Sequence, residues 1–346
     1  MKKEVVIFQN LEDTKFKSDR MRKTLKAALA ENGINYSFDK ITSEAKIAHF
    51  IPPFSYSTIE KAKTFDKKVV ISAFYTEGEK TSCVSSYRNS ILLSKTSIYS
   101  NYLKSFKRAD RILVPCEEYK DLLIKNGISG EKILIVNAGV NNKIYKYLPE
   151  TDMELTRRYY SLAPDTKLLL IFGNPKDKEC MKKVYALANL RKDCKLIFLA
   201  TNAYTVEGFW VKFKRKFQKK PSNLILTTFK DINVYRSLLK NCRVLIYMDS
   251  ILVDEIQLNE ALASEIQVIG LDSVFSKAFL EKEVVLHKDN TKDLFIDICD
   301  YIDYRISGTI SSASFYIQEQ DVQYIGEQLK EIYTNLLKEE QDDDRY

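Results

Sequence analysis

An α/β protein of two doubly wound domains is what this sequence predicts, and three observations carry that prediction. The chain has 346 residues, which at roughly 100–200 residues per domain suggests two domains. Short β-rich apolar runs alternate with amphipathic helical stretches, as in parallel sheets covered by helices on both faces. The alternation breaks off near residue 148 and starts again near residue 167.

Val5-Val6-Ile7-Phe8 opens the series as a buried strand. Its apolar run is too short for a signal-peptide core, and no small-residue cleavage site follows it. Met21, Leu25, Ala28 and Leu29 then recur at helical spacing, and Asn32-Gly33 stops that helix. Ile47–Phe50 is a short strand ended by Pro52-Pro53, and Lys68–Ser72 is the next. Arg111–Val114 is another strand, followed by a helix over Glu117–Lys125, and Ile133–Val136 closes the first series. Residues 146–166 are polar and irregular to helical. The second series has strands at Lys167–Gly173, Leu196–Ala200, Leu224–Thr227, Val244–Tyr247, Val268–Gly270 and Val284–Leu286, with helices between them. A last helix carries Val322, Ile325, Leu329, Ile332 and Leu336 on one face. The predicted boundaries are 1–148 and 149–314 for the two domains, 315–338 for the closing helix, and 339–346 for an acidic tail that reads as disordered. Two such sheets facing across a cleft would bind ligand outside the carboxyl ends of their strands.

Composition excludes several classes. No apolar run reaches the roughly 18 residues of a membrane-spanning helix. The six cysteines are scattered with no Cys-x-x-Cys pair, which fits reduced core thiols and a cytoplasmic protein better than a disulfide frame or a zinc site. Residues 1–148 hold 26 Lys+Arg against 16 Asp+Glu, a balance of +10, and the remainder hold 28 against 31, a balance of −3. A basic first half suggests an anionic partner. Nucleic acid is not expected, because no helix-turn-helix, zinc module or RNA-binding aromatic motif is present.

A family resemblance enters at Ala109-Asp110-Arg111-Ile112-Leu113-Val114-Pro115. It continues through Gly127-Ile128, Glu131-Lys132-Ile133 and Asn137-Ala138-Gly139-Val140-Asn141. It resumes at Asn259-Glu260-Ala261-Leu262-Ala263-Ser264-Glu265-Ile266-Gln267-Val268-Ile269-Gly270. In order of elements the chain resembles the family 4 glycosyltransferases over nearly its whole length. The resemblance implies the GT-B fold, a C-terminal domain that holds a nucleotide-diphosphate sugar, and an N-terminal domain that holds the acceptor. It implies retention of anomeric configuration, no metal and no cofactor beyond the donor substrate. The closing stretch Phe315–Leu337 looks like the helix that ends these proteins and crosses back to the first domain.

Physical chemistry makes that division sensible. A diphosphate suits helix N-termini and cations, and ribose hydroxyls suit a carboxylate. Glu260 matches the family glutamate that binds ribose. The partner glutamate should lie eight residues earlier, at Leu252, so Asp254 or Glu255 is the nearby stand-in. After Gly173 the family's arginine position is Asn174. Its lysine position is Glu179 and its glycine position Cys180, leaving Lys176 or Lys178 to meet a diphosphate. His49 is placed like a family histidine near the acceptor, or else is a buried histidine hydrogen-bonded to backbone. The first loop lacks the family's Gly-Gly turn and has Lys15 and Lys17 there. Thr76 and Glu77 are the polar groups left at the end of the next strand.

Two readings follow. One is a divergent transferase acting on a lipid or cell-envelope glycan. The other is a catalytically silent subunit that binds a partner glycosyltransferase. The basic aromatic segments Tyr102–Arg108 and Trp210–Phe217 add a candidate contact with an anionic membrane surface, on the inner face of the cell membrane. Taken alone, each reads better as a helix that packs its rings and solvates its lysines, and it is the basic first half that brings the membrane contact in.

Overall fold

Four consecutive apolar residues, Val5–Phe8, form the first strand, β1, and all four are buried. The computed structural model describes residues 5–9, 20–52, 54–73, 84–85, 97–98, 100–173, 178–200, 220–227, 231–242, 244–248, 255–271, 286–287, 295–296, 299–300, 303 and 318–343. Two units divide the chain. Unit 1 is Met1–Asn141 with Asp254–Ile256 and Gln318–Tyr346, and unit 2 is Asn142–Val253 with Gln257–Ile317.

In unit 1, β1 is followed by α1 (Arg20–Glu31), β2 (Tyr36–Phe38), β3 (Ile47–Phe50), α2 (Tyr56–Thr64) and β4 (Lys68–Ser72). A short antiparallel pair, β5 (Val84–Ser85) and β6 (Ser97–Ile98), precedes α3 (Ser100–Arg108), β7 (Arg111–Val114), α4 (Glu117–Lys125) and β8 (Ile133–Ile135). The main sheet runs β2-β1-β3-β4-β7-β8 and every pairing is parallel. β3 is buried along its whole length, as a strand covered on both faces should be. The pattern of the sequence gives no sign of β2. It is a half-buried edge strand of three residues, so it lacks the apolar run that marks the others. Asp110 ties three elements together. Its Oδ2 accepts from Val69 N at 2.6 Å and from Lys63 Nζ at 2.5 Å.

Unit 2 begins with three short helices, α5 (Asn142–Lys146), α6 (Glu150–Met153) and α7 (Leu155–Tyr159). Then come β9 (Lys167–Gly173), α8 (Lys178–Leu190), β10 (Cys194–Ala200), β11 (Leu224–Thr227), α9 (Ile232–Asn241), β12 (Val244–Tyr247), α10 (Glu255–Ala263, of unit 2 from Gln257 onward), β13 (Gln267–Leu271) and β14 (Leu286–His287). This sheet runs β11-β10-β9-β12-β13-β14, again all parallel. Leu169, Ile171, Val184, Leu187, Leu196, Phe198 and Ile246 fill the layer between its face and α8. Asp231 caps α9, its carboxylate accepting from the backbone N–H groups of Asn233 and Val234, which satisfies two donors that a helix start otherwise leaves open.

The last helix, α11 (Val322–Asp343), belongs to unit 1. It lies along α1, burying Val322, Ile325, Leu329, Tyr333 and Leu336. Its entry is fixed by a parallel bridge. Val140 N donates to the Gln320 carbonyl at 2.8 Å, and Val322 N donates to the Val140 carbonyl at 3.0 Å. The acidic tail departs from expectation, because the helix runs on through Asp343 and Glu339 forms an ion pair with Arg111 of β7. Glu and Gln are good helix formers, so composition alone misread a helical end as disorder.

Candidate functional site

The sheet of unit 2 changes winding direction between β9 and β12. From β9 the chain moves outward through β10 to β11, then returns to β12 and proceeds the other way to β13 and β14. Loops leaving two adjacent strands in opposite directions open a crevice at their carboxyl ends, which is where doubly wound sheets bind ligands. Gly173 ends β9 on that edge. A β-carbon there would lie 2.8 Å from Cys180 Sγ, 3.1 Å from Phe198 Cε2 and 3.3 Å from Met248 Cβ. The missing side chain lets the first turn of α8 pack close to the strand end. Lys178 opens that helix, and backbone N–H groups of a helix start favour an anion. Asn174 and Lys176 lie outside the described residues.

On the β12 side stands α10, a helix with unusual burial. Apolar Leu258, Ala261 and Leu262 are buried, but so are Gln257, Asn259 and Glu260, and Ser264 just past its end. Buried polar groups require partners. Ser264 Oγ donates to the Glu260 carbonyl at 2.8 Å. The Glu260 carboxylate, on a residue only 4% exposed, accepts from the Tyr145 hydroxyl at 2.5 Å. Gln257, Glu260 and Ser264 share one face of the helix by their spacing. Glu255 is the first residue of α10, and Asp254 lies outside the described residues.

Tyr145 carries no motif and stands 115 residues from Glu260, so no local pattern could announce it. Its helix, α5, is held at the two following residues as well. Lys146 pairs with Glu265 at 3.7 Å, and Arg236 Nη2 donates to the Tyr147 carbonyl at 2.7 Å. Lys240, whose pKa is lowered by burial, donates to the Ser264 carbonyl at 2.9 Å.

In unit 1 the winding reverses between β1 and β3. Gln9, just past β1, donates through Nε2 to the Pro52 carbonyl at 2.9 Å, and its backbone N–H donates to Asp39 Oδ1 at 3.2 Å. His49 of β3 lies in the interior of unit 1. It is 0% exposed. Its Nε2 lies 2.8 Å from Ser72 Oγ and its Nδ1 2.6 Å from the Tyr333 hydroxyl. Burial lowers its pKa to about 3, so the ring is neutral near pH 7, donating at one nitrogen and accepting at the other. Both partners are side chains rather than the backbone, and as placed the ring has no surface to offer a substrate. Lys15, Lys17, Thr76 and Glu77 lie outside the described residues.

The first basic aromatic segment is α3. Phe106 is fully buried, and Tyr102 is half-buried with its ring 5.0 Å from that of Phe54, edge to face. Lys104 and Lys107 are exposed, and Arg108 pairs with Glu60 at 2.7 Å. The rings turn to protein and the cations to water, so packing accounts for the amphipathic pattern of this helix. The segment 210–217 lies outside the described residues. Among the described residues, no helix is long and apolar enough to cross a membrane.

No protein-family model matches the chain, and no curated protein matches it. Solved structures do. HepE from Anabaena in complex with UDP and glucose is 12% identical with a TM-score of 0.67, over 96% of this chain and 100% of that one. Sucrose-phosphate synthase from Thermosynechococcus elongatus is 12% identical with a TM-score of 0.67, over 96% and 99%. The chain has the GT-B fold. UDP-GlcNAc 2-epimerase from Neisseria meningitidis, bound to UDP-GlcNAc, is 13% identical with a TM-score of 0.54, over 96% and 99%. Identities this low speak for architecture, two Rossmann-like α/β domains, and the chemistry has to be argued from the side chains.

Proposed function

We propose that this protein is a glycosyltransferase of the family 4 type. It moves a hexose from a nucleotide-diphosphate sugar to a hydroxyl of a lipid or cell-envelope glycan, with retention. The observation that carries the reading is Glu260, a buried carboxylate on the helix that follows β12, beside the winding reversal of the unit 2 sheet. An apolar residue would fill that position at lower cost, because burying a carboxylate is expensive. A carboxylate there suits the hydroxyls of a ribose. HepE binds UDP-glucose and the epimerase binds UDP-GlcNAc, which supports a nucleotide sugar as the ligand of this fold. The segment 259–270, with its resemblance to transferases, favours transfer over epimerisation.

In this reading Gly173 and the start of α8 receive the diphosphate, with Lys178 or Lys176 as the cation. As the sugar leaves, charge grows on the diphosphate, and fixed donors and cations there stabilise the transition state more than the ground state. Asp254 or Glu255 binds the sugar in place of the absent glutamate. Lys15, Lys17, Thr76 and Glu77 face the acceptor. His49 acts from the interior, holding the ends of β3 and β4. The protein is cytoplasmic, with contact at an anionic membrane surface where the acceptor is a lipid. A second reading, the silent subunit that binds a partner glycosyltransferase, is favoured by the burial of His49.

Calorimetric titration with UDP and GDP tests the proposal. Saturable binding is expected, and Glu260→Ala should weaken it about 10–100-fold, since hydrogen bonds to a charged group contribute roughly 1.5–3 kcal/mol. A folded wild-type protein that takes up neither nucleotide would favour the silent subunit.

A further inference from the structure

Glu260 and Tyr145 form a buried pair inside unit 2, and the chemistry of that pair goes beyond structural support. The phenol of Tyr145 is 7% exposed and reaches the carboxylate at 2.5 Å, the length of a charge-assisted bond. Two apolar side chains would fill the same space without stripping water from a carboxylate. A phenol on one oxygen does something apolar groups cannot, because it fixes the rotation of the carboxylate. A glutamate has several rotatable bonds and loses that freedom whenever it must present its oxygens in one direction. A carboxylate accepts at about four lone-pair sites, so one phenol does not exhaust what such a group can bind.

The platform beneath the phenol is itself fastened. Lys146 pairs with Glu265 at 3.7 Å and Arg236 donates to the Tyr147 carbonyl at 2.7 Å, so the residues that follow Tyr145 are tied to the rest of unit 2. We infer that Tyr145 is a positioning residue for Glu260, holding its carboxylate ready for the ribose hydroxyls of the nucleotide. This role rests on the nucleotide-binding reading of Glu260.

The test is a double-mutant cycle read by calorimetry with UDP, GDP and ADP and their 2′-deoxy counterparts. Tyr145→Phe should weaken the preferred ribonucleotide about tenfold. It should also shrink the preference for ribose over 2′-deoxyribose, a ratio that a general loosening of the fold would leave unchanged. In a Glu260→Ala background, Tyr145→Phe should alter affinity less than about twofold, because a residue acting through its partner has nothing left to act on. That double variant removes donor and acceptor together, so neither is left buried opposite the missing other. Unchanged affinity and ribose preference in Tyr145→Phe would overturn the inference while leaving the site intact, and so would a further loss in the double variant. If Glu260→Ala itself changes nothing, or no nucleotide binds the folded wild-type protein, the nucleotide-binding reading fails and the role of Tyr145 fails with it.

Discussion

Gly326→Ala is expected to destabilise unit 1 by about 2 kcal/mol, an effect of the overpacking class. Gly326 lies on the buried face of α11, in its second turn. A β-carbon there would fall 2.0 Å from Asn32 Nδ2, 2.9 Å from Asn32 Cγ and 2.2 Å from the Ala28 carbonyl oxygen. The two opposing terms differ in size. Replacing glycine by alanine within a helix favours folding by about 1 kcal/mol. Against that, α11 must move off α1, at roughly 1–3 kcal/mol for the overpacked contact. Asn32 must also give up hydrogen bonds to the Ala28 and Gln323 carbonyls, both at 3.0 Å, worth about 1 kcal/mol each. Steric crowding therefore outweighs helix propensity.

The nature of the obstacle gives a sharper test. Asn32 can be trimmed, but the Ala28 carbonyl is backbone and stays. Adding Asn32→Ala should leave the loss caused by Gly326→Ala largely in place. Urea titration of the single and double variants reads both effects. A Gly326→Ala protein as stable as the parent would show that α11 does not depend on this close approach, and full rescue by Asn32→Ala would place the obstacle in the side chain.

The same contrast between backbone and side chain explains which parts of the fold the sequence disclosed. β1, β3, β9 and β12 are buried along nearly all their length, so each appears as a mainly apolar run, and their limits read from the sequence agree with the structure. β2 is an edge strand whose three residues are half-buried, and its signal is the backbone pairing with β1, which no side chain advertises. The close approach of α11 to α1 was equally silent. A lone glycine in a helical run looks like a defect until the neighbouring helix is seen 2.2 Å from where its side chain would be.

The candidate site was legible only where its chemistry is local. Glu260 stands in a run of residues that fixes its register, and the strand before Gly173 is plain in the sequence. Tyr145 is joined to Glu260 by the fold alone, across 115 positions. His49 shows the opposite failure. Rarity and a place near a strand end made it conspicuous, but the residues that decide its environment, Ser72 and Tyr333, come from β4 and α11. A histidine's position on its own strand says little about whether its ring meets water or hydroxyls.

That environment makes the stability of unit 1 depend on pH, with a sign set by burial. His49 in the folded chain has its pKa lowered from the ordinary 6.5 to about 3, because the interior resists the charged ring. Above pH 6.5 the histidine is neutral whether the chain is folded or not, and its full contribution is present. As pH falls below 6.5, the unfolded chain takes up a proton that the folded chain refuses, so acid favours unfolding. The slope approaches about 1.4 kcal/mol per pH unit, and the loss continues toward pH 3. Between pH 6.5 and 5 the carboxylates are still charged, and this window alone should cost roughly 1–2 kcal/mol. Urea midpoints taken every half unit across it measure the slope. His49→Gln should lower stability at pH 7.5, because two hydroxyls lose an ideal partner, yet it should flatten the curve between pH 6.5 and 5. The change in slope is therefore independent of the change in height. A wild-type curve already flat in that window would mean that the ring gains a proton in place, and the network of Ser72, His49 and Tyr333 would then have to accommodate a cation. A slope that survives His49→Gln would move the titrating group elsewhere in the chain.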